Sequence, residues 1–263
     1  MPVFDSYLMV DWSAANTPKR GADSIWLGLT ARRRSGYVLS VLENPSTRAM
    51  ATERIIQLAS NALNRGRRML IGFDFPFGFP VGTAQRLGYR GLAWRNLWQT
   101  LEDEISDHED NRNNRFDVAE SLNVRLTDEA FPFWGLPREE TRSHLLRRGR
   151  RPHESTDLPE RRLCDRLVPS TQPVWKLAGA GSVGGQSLTG IPRVWQIRKA
   201  PELAFNCHIW PFETGLRFDP RPSVILAEVY PSLVAPQLPR ASRRPPALLQ
   251  LSMLRPTCHQ ETG

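Results

Sequence analysis

Asp74 lies in Ile71-Gly72-Phe73-Asp74-Phe75-Pro76-Phe77-Gly78-Phe79-Pro80, a carboxylate set in an apolar, aromatic run. The stretch from Met69 to Phe73 reads as a strand buried on both faces. An ionised Asp at the end of such a strand costs several kcal/mol unless a metal or another cation pairs it. The same pattern occurs twice more. Tyr7-Leu8-Met9-Val10 leads into Asp11, and Val224-Ile225-Leu226-Ala227 leads into Glu228. Three apolar strands that each end on an acid predict one acidic cluster at one edge of a sheet, the donor set of a hard divalent cation. Each acid also has a plainer use. Asp11 can cap the loop after it, Asp74 can shape the turn at Phe75-Pro76, and Glu228 can pair with an Arg. The conjunction favours the cluster, because independent structural roles would not select three strand ends. Glu53 reads as a solvated helix position rather than a fourth member.

The elements that must position these acids follow from local pattern. Phe4 to Val10, Ser24 to Leu29 and Gly36 to Leu42 are strand-like, and Trp12 to Gly21 is a polar loop. The short basic turn before Gly36 predicts an antiparallel hairpin. A helix follows, with Ser46 or Thr47 as N-cap, Ile55, Ile56, Leu58, Ala59, Ala62 and Leu63 at helical spacing, and Gly66 as its stop. The Asp74 strand is reached through that helix and so is expected to lie parallel to an earlier strand. Thr83 to Ile105 reads as one helix, and Asp103 to Arg115 as a polar surface linker. Arg138 to Arg166 is dense in Arg and reads as an inserted, solvated segment, ordered or partly disordered. This order predicts an α/β sheet with helices packed on it. The expected organisation is a domain over 1–235 with an Arg-rich insertion at about 103–170, followed by a Pro-rich tail over 236–263.

Composition narrows the class. At 263 residues and 40% hydrophobic the chain can bury a sizeable core. The net charge of +8 is carried almost wholly by Arg, with Lys only at Lys19, Lys176 and Lys199. An Arg excess of this kind reflects codon usage more readily than a phosphate-binding surface. Cys164, Cys207 and Cys258 are odd in number and far apart, which argues against a zinc site or a disulfide framework and for a reduced, cytoplasmic setting. No apolar run approaches the ~18 residues of a membrane span, so no membrane partner is expected.

Gly179-Ala180-Gly181-Ser182-Val183-Gly184 matches G-x-G-x-x-G. A dinucleotide fold requires a strand directly before this motif and a helix opening inside it. Here Gly185, Gln186, Ser187 and Gly190 are expected to prolong the loop until Ile191-Pro192 starts a helix. A phosphate-binding loop stays open as a reading, with amides of Gly181 and Gly184 and flanking charge from Lys176 and Arg193. His208, in the alternating run Asn206 to Trp210, reads as a half-exposed strand residue. Neither G-x-S-x-G nor a Ser-His-Asp spacing is present, so nucleophilic hydrolysis has no support.

Four segments together resemble a known family: Val10-Asp11-Trp12-Ser13, Phe73-Asp74-Phe75-Pro76-Phe77-Gly78, Gly179 to Pro192, and Glu228-Val229-Tyr230-Pro231. It is the family of predicted RNase H-like nucleases, domain-of-unknown-function family 429, and the resemblance spans roughly residues 3–235. It implies an RNase H-like mixed sheet, an antiparallel three-strand start and then parallel strands, flanked by helices. It also implies that Asp11 and Asp74 are metal ligands. Glu228 falls on a strand, whereas many RNase H-like enzymes carry their last acid on the following helix, and this departure leaves a two-metal arrangement open.

The leading expectation is a metal-dependent phosphodiester hydrolase acting on nucleic acid. Asp11, Asp74 and Glu228 would hold Mg²⁺ or Mn²⁺, and Arg residues of the insertion would contact phosphates without reading sequence. Two rivals share the pattern. One is a nucleotide-dependent phosphotransferase of the sugar-kinase-like fold, with the Gly179 to Gly190 loop cradling phosphates. The other is a non-catalytic accessory protein in cofactor biosynthesis. After Pro231 the expected closing helix is missing, because Pro236, Pro239, Pro245, Pro246 and Pro256 break it. Residues 236–263 thus read either as an ordinary tail or as the product of a truncated or shifted reading frame.

Overall fold

The structure is a computed structural model and describes residues 3–148, 150–168, 170–216, 220–221 and 223–233. The Pro-rich stretch 236–263, and with it the expectation of a tail outside the core, lies beyond the described residues.

Apolar runs of five to eight residues become the strands β1 (Ser6–Asp11), β2 (Trp26–Arg33), β3 (Gly36–Glu43), β4 (Met69–Phe73) and β6 (Val224–Glu228), with the shorter β5 at Cys207–Trp210. They form one six-stranded sheet in the order β3-β2-β1-β4-β6-β5. The chain is therefore α/β with a mixed sheet. β1, β2 and β3 pair antiparallel, and β1, β4, β6 and β5 run parallel. Register places Val10 opposite Phe73, and Phe73 opposite Glu228.

Side chains alternate along a strand, so each strand serves two faces. Leu8, Val10, Ile71 and Phe73 enter the main core. Tyr7 and Met9 join Phe4, Trp26, Tyr37, Leu70 and Val229 on the other face. The helix α1 (Arg48–Leu63) begins at Thr47, whose Oγ1 accepts the Met50 amide at 3.3 Å. It lies against α6 (Gly184–Lys199), which also packs on α3 (Ala93–Glu104). No helix among the described residues is long and apolar enough to cross a membrane.

Three expected elements differ from those observed. The long helix over 83–105 is split into α2 (Thr83–Arg86) and α3, because Gly88 and Gly91 both take positive φ between them. The linker at 103–115 is no solvated strip. Asn111 and Asp107 fold inward as partners of the buried Arg48, and α4 (Arg115–Thr127) starts at its end. The loop expected through Gly190 is instead the first two turns of α6, which even carries Pro192 within it.

The glycines of α6 serve close approach rather than flexibility. A Cβ on Gly184 would fall on the Val174 carbonyl oxygen and 2.7 Å from that of Lys176, and one on Gly190 would enter the Phe75 ring. Backbone carbonyls cannot swing aside as a side-chain tip does. Gly184→Ala is therefore expected to cost ~1–3 kcal/mol of stability, more than the ~1 kcal/mol that Ala gains over Gly in a helix. Urea unfolding checks this, and a midpoint equal to or above that of the parent protein would refute the packing argument.

Candidate active site

Asp11 ends β1, and Asp74 is the first residue after β4, the strand next to it. From β1 the chain turns back to β2 on one side. From β4 it proceeds to β5 and β6 on the other. The loops at these two carboxyl ends therefore diverge, and the crevice between them is where open α/β sheets place their ligands. Asp11 and Asp74 stand at that point and share a side-chain hydrogen bond. Asp74 Oδ1 also accepts the Trp12 amide at 2.9 Å. Burial first, then the Asp11 carboxylate beside it, hold the Asp74 pKa well above the ordinary value. Burial likewise raises that of Asp11. Two carboxyls in contact cannot both ionise cheaply, so the pair keeps a proton unless a cation replaces it.

Glu228 does not join them. Its Cα lies opposite Phe73, one residue short of Asp74, so strand alternation turns its side chain to the other face. There Arg162 binds it with both terminal nitrogens, Nη2 to Oε1 at 2.6 Å and Nη1 to Oε2 at 2.7 Å. The Phe77 amide adds a third bond to Oε2 at 3.0 Å. The same guanidinium bonds Asp165 through Nε at 2.9 Å and Nη2 at 2.8 Å. Among the described residues, no three or more His, Cys, Asp or Glu side chains group as a metal site. The expected three-acid cluster is thus an aspartate pair plus a separate ion-paired glutamate. Its organiser, Arg162, caps α5 (Leu163–Arg166), in the segment read as a solvated insertion. Glu53 is exposed, as expected.

The candidate phosphate ligands are also dispersed. Lys176 Nζ donates to the Ala180 carbonyl oxygen and lies 5.5 Å from the Trp134 ring centroid. The Gly184 amide donates to the Lys176 carbonyl oxygen at 2.8 Å, while Gly181 takes a positive φ against the Gln172 side chain. Arg193 lies in the middle of α6, its Nε 2.9 Å from Asp107 Oδ2. No loop-borne phosphate cradle is formed by these four residues.

What the sequence left unmarked is the scaffold of the loop after Asp11. Arg48 Nη1 donates to the carbonyl oxygens of Ser13 at 3.1 Å and Ala15 at 2.8 Å. Gln186, in the first turn of α6, donates to the Trp12 carbonyl oxygen at 2.6 Å. Arg115 bonds Asn16, and Asn113 at 2.9 Å. These contacts fix the Trp12 amide that Asp74 accepts. No family model, curated protein or solved structure matches this chain.

A cavity of about 600 Å³ opens beside the pair at the carboxyl ends of β4, β6 and β5. Asp74 and Glu228 both line it, among Phe75, Phe79, Trp210 and Phe212.

Proposed function

We propose that the chain is a metal-dependent phosphodiester hydrolase of the RNase H-like kind, with Asp11 and Asp74 as its metal-binding acids. The observation that carries this reading is the hydrogen-bonded carboxyl pair at the point where the chain leaves neighbouring strands in opposite directions. The antiparallel start, β3-β2-β1, followed by the parallel β4, supports it. The donor set fits Mg²⁺ or Mn²⁺. Such ions keep several waters and need only one or two carboxylates plus substrate phosphate. Glu228 does not fit, because Arg162 and the Phe77 amide hold its oxygens.

An ion held by the pair would activate a water and take up charge on a phosphoryl oxygen. The protein's own contribution is positioning. The Trp12 amide fixes Asp74, and Arg48 and Gln186 fix the loop that carries Trp12. Glu228 ties the Phe75–Phe79 loop to Arg162. The Arg-rich segment gives less to a nucleic-acid partner than its composition suggests. Arg142, Arg150 and Arg151 are bound to Glu120, Glu160 and Asp157 respectively, which among the described residues leaves exposed Arg138, Arg147, Arg148 and Arg166 for phosphates. The phosphotransferase reading is disfavoured, because the groups of its proposed cradle already have partners: the Gly184 amide the Lys176 carbonyl oxygen, Lys176 the Ala180 carbonyl oxygen, and Arg193 the Asp107 carboxylate.

Two measurements test the reading. Mg²⁺ or Mn²⁺ is expected to raise the melting temperature, and Mn²⁺ to support hydrolysis of a single-stranded oligonucleotide or of bis(p-nitrophenyl) phosphate. Asp11→Asn is expected to lower that rate on the order of 10²-fold or more. A variant as active as the parent protein, with no thermal response to either metal, would remove the proposal.

A further inference from the structure

The cavity beside Asp74 has walls and a floor of different chemistry. Phe212 is fixed from behind by Trp94, stacked at 5.4 Å with an 18° interplanar angle. Phe79 is fixed by Phe133 at 6.0 Å and Trp175 at 5.8 Å. Both rings line the cavity, as do Val81, Leu163 and Tyr230. Rings immobilised by their neighbours are ready stacking platforms, with little rotamer freedom left to lose. A volume of about 600 Å³ is that of a small-molecule site rather than a packing gap.

The floor is the ion cluster of Arg162, Asp165 and Glu228, which sums to one negative charge. Arg162 and Asp165 are 10% and 3% exposed, while Glu228 is 30% exposed and so is the charged member that meets the cavity. Among the described residues its Oε2 accepts two hydrogen bonds but its Oε1 accepts one, from Arg162. A carboxylate oxygen takes about two, so Oε1 has room for a donor from a ligand. Such a floor repels a phosphate and selects a neutral or cationic N–H group. Flat apolar walls combined with one acceptor at the edge select a nitrogen heterocycle bearing an amino group.

We propose that this cavity binds the amino-bearing base of a nucleotide, stacked on Phe79 and Phe212 with its amino group donating to Glu228 Oε1. The proposal rests on the reading of Asp11 and Asp74 as the reaction centre, since Asp74 on the same cavity wall then meets the phosphodiester of that nucleotide. A base inside such a cavity is neither paired nor stacked in a duplex. The substrate class is therefore an unpaired nucleotide, in single-stranded nucleic acid or a small nucleotide diester, rather than an intact base pair.

The test uses nucleosides without phosphate or metal, so that it does not depend on the aspartate pair. Cys164 lines the cavity and is exposed, which makes its alkylation a reporter of occupancy. Burial holds its pKa above the ordinary thiol value, so labelling is run at pH ~9 and read peptide by peptide. Cys207 is buried with its pKa pushed up to about 12 and does not interfere. Adenosine and cytidine are expected to slow Cys164 alkylation and to give calorimetric binding. Thymidine, whose ring N–H is flanked by two carbonyls, is expected to bind more weakly than either. Phe212→Ala should weaken adenosine at least ~fivefold, as loss of a stacking platform does. Should that variant not fold, Cys164→Trp fills the cavity from an exposed position and should abolish nucleoside binding while leaving the Mg²⁺ thermal shift in place.

No protection and no heat up to ~10 mM nucleoside, with the Mg²⁺ response intact, would overturn the base site and leave the aspartate reading standing. Equal protection by tetramethylammonium would overturn it too, because the site would then be a plain cation pocket. Nucleoside binding without any metal response would instead sink the aspartate reading.

Discussion

Asp74→Asn is expected to raise the melting temperature of the metal-free protein at neutral pH and to abolish its stabilisation by Mg²⁺. An unfolded Asp titrates near pH ~3.9, whereas burial and Asp11 hold Asp74 well above that range in the folded protein. Between the two values the folded state binds more protons than the unfolded state. Stability therefore falls as pH rises across that window; it is full below the unfolded pKa and is lost through the folded one. Asn at this position carries no charge. Its oxygen can still accept the Trp12 amide, and its amide group can donate to Asp11. The gain at neutral pH should be ~2–4 °C, the shift that ~1 kcal/mol produces in a domain of this size. Melting curves between about pH 5 and pH 8 should slope downward for the parent protein and be flatter for the variant. Mg²⁺ should lift the parent curve alone. A variant that melts lower than the parent protein at neutral pH would show that the pair is not under electrostatic tension.

The strands were legible because their apolar runs are continuous. Met69 to Phe73 is β4 residue for residue, and its entry through a helix foretold a parallel pairing with an earlier strand, which the structure shows to be β1. The Asp11–Asp74 contact was legible for the same reason, since both acids end neighbouring strands. Glu228 was misplaced because alternation within a strand does not reveal the register between strands. A one-residue offset, Phe73 rather than Asp74 opposite Glu228, sends its carboxylate to the other face. Arg162, one of many arginines in its segment, could not be foreseen as the partner of an acid 66 residues further along the chain. The glycines of α6 misled for a different reason. Gly184 and Gly190 answer to the Val174 and Lys176 carbonyls of the preceding loop and to the ring of distant Phe75, which pack against them from outside the helix. Glycine punctuates local structure only where no tertiary contact demands its small volume.

Asp107→Asn is expected to be the most destabilising single substitution among the polar residues discussed above, at ~3–5 kcal/mol. Arg48 is 0% and Asp107 5% exposed, and they meet in a bidentate pair, Nη2 to Oδ1 at 2.5 Å and Nε to Oδ2 at 2.9 Å. Arg193 adds a second guanidinium to the same carboxylate at 2.9 Å. Arg115 stands near them with no ion pair among the described residues, and its pKa is pushed down to about 10, by burial first and then by the charge of Arg48. Asp107 thus pairs two guanidinium groups that water reaches poorly, and with Glu140 it offsets the charge of a third, Arg115. Asn keeps the shape and removes the charge, leaving Arg48 uncompensated in the interior. Neutralising the half-exposed partner of Arg125, Glu104→Gln, serves as the contrast and should cost only ~0.2–1 kcal/mol. Chemical unfolding of both variants measures the difference. The effect should reach the proposed reaction centre, because Arg48 also holds the Ser13 and Ala15 carbonyls of the loop that presents the Trp12 amide to Asp74. Folded Asp107→Asn protein should accordingly show a weaker Mg²⁺ thermal shift than the parent protein. A cost no larger than that of Glu104→Gln would mean that Asn111 and the backbone carbonyls, not Asp107, hold Arg48 in place.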